Sequence, residues 1–222
     1  VNRSSEPAYK IAWIVPILSF PIFGGLFYLL FGGSRLSKRT RRKMEGMDRK
    51  MVEVLGPDFK AESLIHFGED AVHQARYLEH MAHCPVYSGT ETEYFPLGEA
   101  CFARMLEEIR KAKRYIFLEY FIIEDGVMWD AILDILTEKV REGVEVRLMY
   151  DDIGCMFTLP REYASELEKR TGIQCCVFNP FVPILSLRLN NRDHRKILVI
   201  DGKVAFTGGI NLADEYINQK VR

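Results

Sequence analysis

Four side chains in the C-terminal part of the chain have types and spacing suited to chemistry at phosphorus. They are His194, Lys196, Asp201 and Asn211, within HRKILVIDGKVAFTGGIN. His194 and Lys196 lie two residues apart, so on a β-strand both project to one face. An imidazole is nucleophilic near neutral pH and can carry a phosphoryl group covalently. An ammonium beside it would stabilise charge on the non-bridging oxygens. Gly208 and Gly209 let backbone approach a phosphate closely, and Asn211 offers an amide donor. The candidate catalytic residues are therefore His194, Lys196 and Asp201, with Lys196, Gly209 and Asn211 as phosphate contacts. Asp201 has the opposite parity and falls in an Asp-Gly turn, which favours a structural role over proton transfer.

Other polar clusters carry weaker chemistry. His66, His73, His80 and His83 fall on one helical face, but a seven-residue step is about 10 Å, too long for one metal to bridge; His80 and His83 could share one, though Gly68 and the polar context favour a solvated face. Glu119 sits in an apolar strand and needs a partner there: it lines the site or pairs with a base. Asp151-Asp152 reads as loop chemistry at a strand end. Phe181 to Leu187 reads as core or packed loop, with a lip that dips toward acyl chains as the alternative. The five cysteines (84, 101, 155, 175 and 176) have no zinc-like pairing and read as free thiols in a reducing compartment.

The elements that must position the motif alternate in kind. Helical spacing covers 99–113, 127–142 and 161–170, and β-branched or aromatic runs cover 115–123, 144–150 and 173–178. That alternation predicts an α/β sandwich with a largely parallel sheet. Lys196 to Ile200 and Lys203 to Thr207, joined by Asp201-Gly202, predict a terminal hairpin with a type I′ turn. Residues 44–83 read as polar amphipathic helix with breaks at Gly56-Pro57 and Gly68.

Residues 11–33 carry no charge, and that length of apolar residues matches the ~30 Å bilayer core. Pro16, Pro21 and Gly24-Gly25 are tolerated in a bilayer helix. A signal peptide or buried core helix fits less well, because the run is long and a dense basic flank follows it. The prediction is a transmembrane helix over 11–33, an extracytoplasmic flank over 1–10 and a basic juxtamembrane and helical linker over 34–83. Six cations and no acid lie in 35–43, so the positive-inside rule puts the following domain in the cytoplasm. Those cations set topology alone or also hold the domain against anionic lipid. The net charge of −1 excludes a globally polycationic surface for nucleic acid. A chain starting at Val1 with a lone span suggests a fragment.

The motif fits in full the pattern H-x-K-x4-D-x6-G-G-x-N of the phospholipase D superfamily. With FLEYFIIEDG, GVEVRLMYDDIG and FNPF around it, the chain resembles the bacterial cardiolipin synthases. The resemblance covers nearly the whole chain but only the front half of such an enzyme, which carries two motifs. It implies a mixed sheet flanked by helices over 84–222, a truncated first half-domain preceded by the membrane helix. It also implies a phosphatidyltransferase that joins two phosphatidylglycerols through a phosphatidyl-histidine, using no cofactor and no metal. His194 would be the nucleophile or its acid/base partner, and Lys196 and Asn211 would hold the phosphate. The implied partners are phosphatidylglycerol, the cell membrane and a second motif half in the same or another chain, with no nucleic acid. No second H-x-K-x4-D occurs in this sequence, so the chain alone is expected to have little synthase activity. Two rivals remain: a membrane-anchored one-motif phosphodiesterase or nuclease active as a dimer, and a non-catalytic membrane partner half.

Overall fold

The computed structural model describes residues 7–31, 38–55, 60–181 and 191–220, and it divides into two compact units at Thr92/Glu93. The first unit is helical. The apolar run forms two helices, α1 (Pro7–Ser19) and α2 (Pro21–Phe31), where a single span was expected. Phe20 precedes Pro21, and the proline ring disfavours helical geometry at the residue before it, so the helix breaks there. Trp13 packs edge-on against Tyr28 at 5.4 Å and also meets Phe27, folding α1 back on α2. Gly24 lies so close to the Pro16 backbone that a Cβ would collide with it. No helix among the described residues is long and apolar enough to cross a membrane: thirteen residues of α1 rise about 20 Å.

Helix α3 (Lys38–Leu55) follows, then a 3-10 turn (Ala61–Phe67) and α4 (Glu69–Ala82), separated by Gly68 at φ 104°. Ala61, Val72 and Ala75 form a small core with Leu64 and Val86. The Glu79 carboxylate, buried on α4, receives the Lys60 backbone N–H. The expected break at Gly56-Pro57 lies outside the described residues.

The second unit is a mixed sheet in the order β3-β2-β1-β4-β5. Strands β1 (Tyr115–Tyr120), β2 (Glu145–Asp151) and β3 (Gln174–Phe178) run parallel. They are linked by α6 (Val127–Arg141) and α7 (Tyr163–Thr171), and α5 (Gly98–Lys111) precedes them. The hairpin β4 (Ile197–Ile200) and β5 (Val204–Thr207) adds antiparallel to β1. At its tip Asp201 and Gly202 have φ of 55° and 67°, both left-handed, and Lys203 N–H donates to the Ile200 carbonyl. These are the hallmarks of the expected type I′ turn.

Alternation along the strands makes two unlike faces. Ile116, Leu118, Tyr120, Val146, Leu148, Tyr150, Leu198 and Ile200 point into a core completed by Met105 and Ile109 of α5 and Trp129, Ile132 and Leu136 of α6. Within it the Trp129 indole N–H donates to the Tyr163 hydroxyl at 2.6 Å. On the opposite face Phe117, Glu119, Arg147, Met149, Ile197 and Val199 line an open groove of about 640 Å³. Strand β1 is thus buried on one side only. It also ends at Tyr120, short of the expected Ile123, because the backbone of Ile122 and Ile123 turns to pair with the segment after β5.

Candidate active site

Strand β4 carries the motif, and its two ends do different work. His194 and Lys196 precede β4 at the edge where β1 finishes, since β1 and β4 pair antiparallel with Glu119 opposite Ile197. Asp201 follows β4 at the far edge, beside Tyr115. Seven residues at ~3.3 Å each separate His194 from Asp201 by roughly 20 Å.

At the His194 edge the chain is pinned from below. Asp151, fully buried at the end of β2, accepts the Asp193 N–H at 3.0 Å and the Arg192 guanidinium at 3.2 Å. It also accepts the N–H groups of Ile153 and Gly154. The His194 side chain is exposed, with its ring 4.8 Å from that of Phe121. Lys196 is buried, 4% exposed, with Nζ donating to the His194 carbonyl at 2.6 Å and lying 5.1 Å from the centre of the Phe121 ring. Desolvation lowers the Lys196 pKa, and the charge of Asp193 works against that shift.

Lys196 also faces a cleft of about 340 Å³ whose wall includes Tyr120, Thr207, Gly208 and Gly209. A Cβ built on either glycine would meet nothing within 4 Å, so this wall is open to an approaching group. Asn211 is buried behind it. Its Oδ1 accepts the Ile122 N–H at 3.0 Å and its Nδ2 donates to the Tyr216 hydroxyl at 2.7 Å. One amide hydrogen satisfies that bond and a second remains on the same nitrogen. Asn211 thereby ties the glycine loop to the end of β1.

Asp201 is a clamp. Its Oδ1 accepts the N–H groups of Arg114 and Tyr115 and its Oδ2 that of Lys113, at 2.8–3.0 Å, while its own N–H donates to the Tyr115 carbonyl. Desolvation pulls its pKa up, but the three N–H donors and the charge of Arg114 hold it below the usual carboxylate range.

Several residues of the site are not singled out by motif spacing. Phe121 is the surface that both His194 and Lys196 touch, and a Cβ on Gly154 would strike the Phe121 carbonyl. Cys155 braces the same turn by accepting the Ile123 N–H on Sγ at 3.2 Å. Burial pushes its thiol up to about 11. On the open face Glu119, Asp193 and Arg195 form a charge cluster, with Arg195 Nε 2.6 Å from Glu119 and 3.0 Å from Asp193. Desolvation and the neighbouring Asp193 raise Glu119 to about 7 despite Arg195. Desolvation acts the same way on Asp193, but its hydrogen bonds from Arg195 and Glu119 prevail and hold it low. Of the two carboxyls Glu119 is therefore the weaker acid. Its acidity in an apolar strand was visible as a demand for a partner; that Asp193 and Arg195 supply it was not. The described residues contain no cluster of three or more His, Cys, Asp or Glu side chains that could hold a metal. The segment from Val182 through Leu187 lies outside them.

Residues 105–221 match the family described as cardiolipin synthase, PLD-like domain, and residues 1–33 match the phospholipase D-nuclease N-terminal family. A cardiolipin synthase of Geobacillus sp. strain WCH70 is 37% identical over 98% of this chain and 43% of its own length. An uncharacterized protein of Streptococcus mutans is 45% identical over 99% of this chain and 48% of its own. The chain thus spans less than half the length of these curated relatives. Among solved structures, NucT from Helicobacter pylori is similar with a TM-score of 0.43 and 15% identity, over 57% of this chain and 76% of that one. The motif on β4, the mixed sheet beneath it and the match over more than half its residues make this chain a member of the cardiolipin synthase, PLD-like domain family.

Proposed function

We propose that this chain supplies one half of a phosphatidyltransferase site that makes cardiolipin from two phosphatidylglycerols. The observation that carries the reading is the meeting of exposed His194 and buried Lys196 on one aromatic ring, at the end of β4. In the proposed reaction an imidazole nitrogen attacks phosphorus and the bond from phosphorus to the glycerol oxygen breaks. A partner histidine from a second motif protonates the departing glycerol. A hydroxyl of the second phosphatidylglycerol, deprotonated by that same partner, then attacks the phosphatidyl-histidine. The P–N bond breaks, and cardiolipin and free histidine result. Lys196, Gly209 and Asn211 are proposed to hold the phosphate. His194 takes either the nucleophilic or the acid/base role. No metal and no cofactor enter the scheme.

The apolar helices support a setting at the cell membrane. Ile22, Phe23 and Leu29 on α2 and Leu18 on α1 are 75–83% exposed, an apolar surface that monomeric soluble proteins avoid. The catalytic unit is assigned to the cytoplasmic side from the basic flank at 35–43.

The test gives labelled phosphatidylglycerol in vesicles to this chain alone and to the chain combined with a second H-x-K-x4-D half. Cardiolipin and acid-labile phosphohistidine are expected only from the combination, and His194→Ala should abolish cardiolipin formation. Robust synthesis by residues 1–222 alone would remove the half-site reading. Cardiolipin formation that survives His194→Ala would remove the proposed chemistry.

A further inference from the structure

Neither family match reaches α3, which spans Lys38–Leu55 between them. Seven of its residues are Lys or Arg against three acids. Four of its six apolar residues, Met44, Met47, Met51 and Val54, exposed by 49, 62, 42 and 85%, fall at spacings of three and four, while Val52 lies off that line. Those intervals put all four on one side of a helix. Lys43 and Lys50, seven residues apart, run along one border of that stripe, and Arg42 and Arg49 lie on the far side. Arg41 is partly neutralised by Glu45 at 3.5 Å, whereas among the described residues Lys43 and Lys50 form no ion pair.

We infer that α3 lies flat on an anionic bilayer surface, with the methionine stripe in the acyl boundary and the lysine border at the headgroups. A helix of high amphipathicity, low mean hydropathy and excess positive charge is the kind that binds in the interface plane. Methionine suits a fluid, uneven surface because its side chain is flexible and polarizable. Charge complementarity selects this occupant over a second copy of the chain. Two α3 helices would bring like net charge together, and two heptads fall short of the three or four that a coiled coil requires. The helix reads surface charge, so phosphatidylserine serves as well as any other anionic lipid. The inference therefore stands apart from the proposed reaction.

The test reconstitutes the full chain in vesicles of phosphatidylcholine, with or without phosphatidylserine. Peroxide oxidation of Met44, Met47 and Met51 is followed by mass spectrometry. Met156, exposed in the other unit, is the internal reference. Each cation near an anionic surface is worth roughly fivefold in affinity. The three methionines should oxidise several-fold more slowly with phosphatidylserine and recover at high salt, with Met156 unchanged. Lys43→Glu with Lys50→Glu should remove that protection while circular dichroism stays the same. Protection that is equal in both vesicle types and rises with protein density would identify a second copy as the occupant and overturn the inference. Absence of protection in either vesicle type would overturn it as well.

Discussion

Lys196 and Asp201 belong to one motif, yet opposite kinds of loss are expected from them. Lys196 is desolvated beside His194, so in the proposed reaction Lys196→Ala removes charge stabilisation where charge develops. In the proposed two-half assembly it should lower kcat by about 10²–10³, with a urea midpoint close to wild type. Asp201→Asn replaces a carboxylate that receives three backbone N–H groups, turning an acceptor into a donor on one side. It should cost about 1–3 kcal/mol of stability by urea denaturation, while kcat per folded molecule changes by no more than a few-fold. Glu119 provides a pH test. Its folded-state pKa lies near 7, above the ordinary 4.5, so the folded state holds a proton that the unfolded state releases first. Stability from this group is fully present below pH 4.5 and is lost as pH rises toward and through 7. Asp193, held low, works in the opposite direction and only at lower pH, as it protonates. The thermal midpoint of Glu119→Gln, measured from pH 5 to pH 8, should therefore fall less steeply with rising pH than that of wild type.

Elements were legible in the sequence where the signal is local, and obscure where the partner is distant. The alternation of strands and helices, and the Asp201-Gly202 turn, rest on neighbouring residues, and the observed β1, α6, β2, α7, β3 and hairpin follow them closely. The clamp made by Asp201 joins residues 86–88 positions apart, and the bond from Ile122 to Asn211 spans 89, so no spacing rule exposes either. The break at Phe20 shows a different failing. Pro21 is visible in the sequence, but its tolerance in a bilayer helix and its constraint on the preceding residue point to opposite outcomes. A prediction at this scale concerns the loop after β2. Gly154→Ala would push its methyl into the Phe121 carbonyl and displace the ring beneath His194 and Lys196. It should lower stability by about 1–3 kcal/mol and reduce phosphatidyl transfer more than it reduces the folded fraction, as read by paired activity and circular dichroism.

The molecule as a whole joins two units of opposite character. One exposes apolar helices and a basic amphipathic one; the other carries the motif at the edge of a sheet buried on one face. Attachment and catalysis should separate accordingly. Replacing Ile22 and Leu29 on α2 with lysine should shift the chain from vesicle pellet to supernatant in co-sedimentation, while the near-ultraviolet dichroism from Trp129 and its surroundings stays that of wild type.

The antiparallel run of β4 beside β1 gives the motif a meaning as a length. Four residues lie between Lys196 and Asp201 because β4 must stretch from a fastening at the start of β1 to the place where β1 ends. The motif is a ruler laid across the sheet. Deleting one residue between Ile197 and Ile200 would shorten the reach by one step and turn every side chain beyond it to the other face. The ammonium would then point toward the open groove, away from the glycine wall, although every residue type of the motif would still be present.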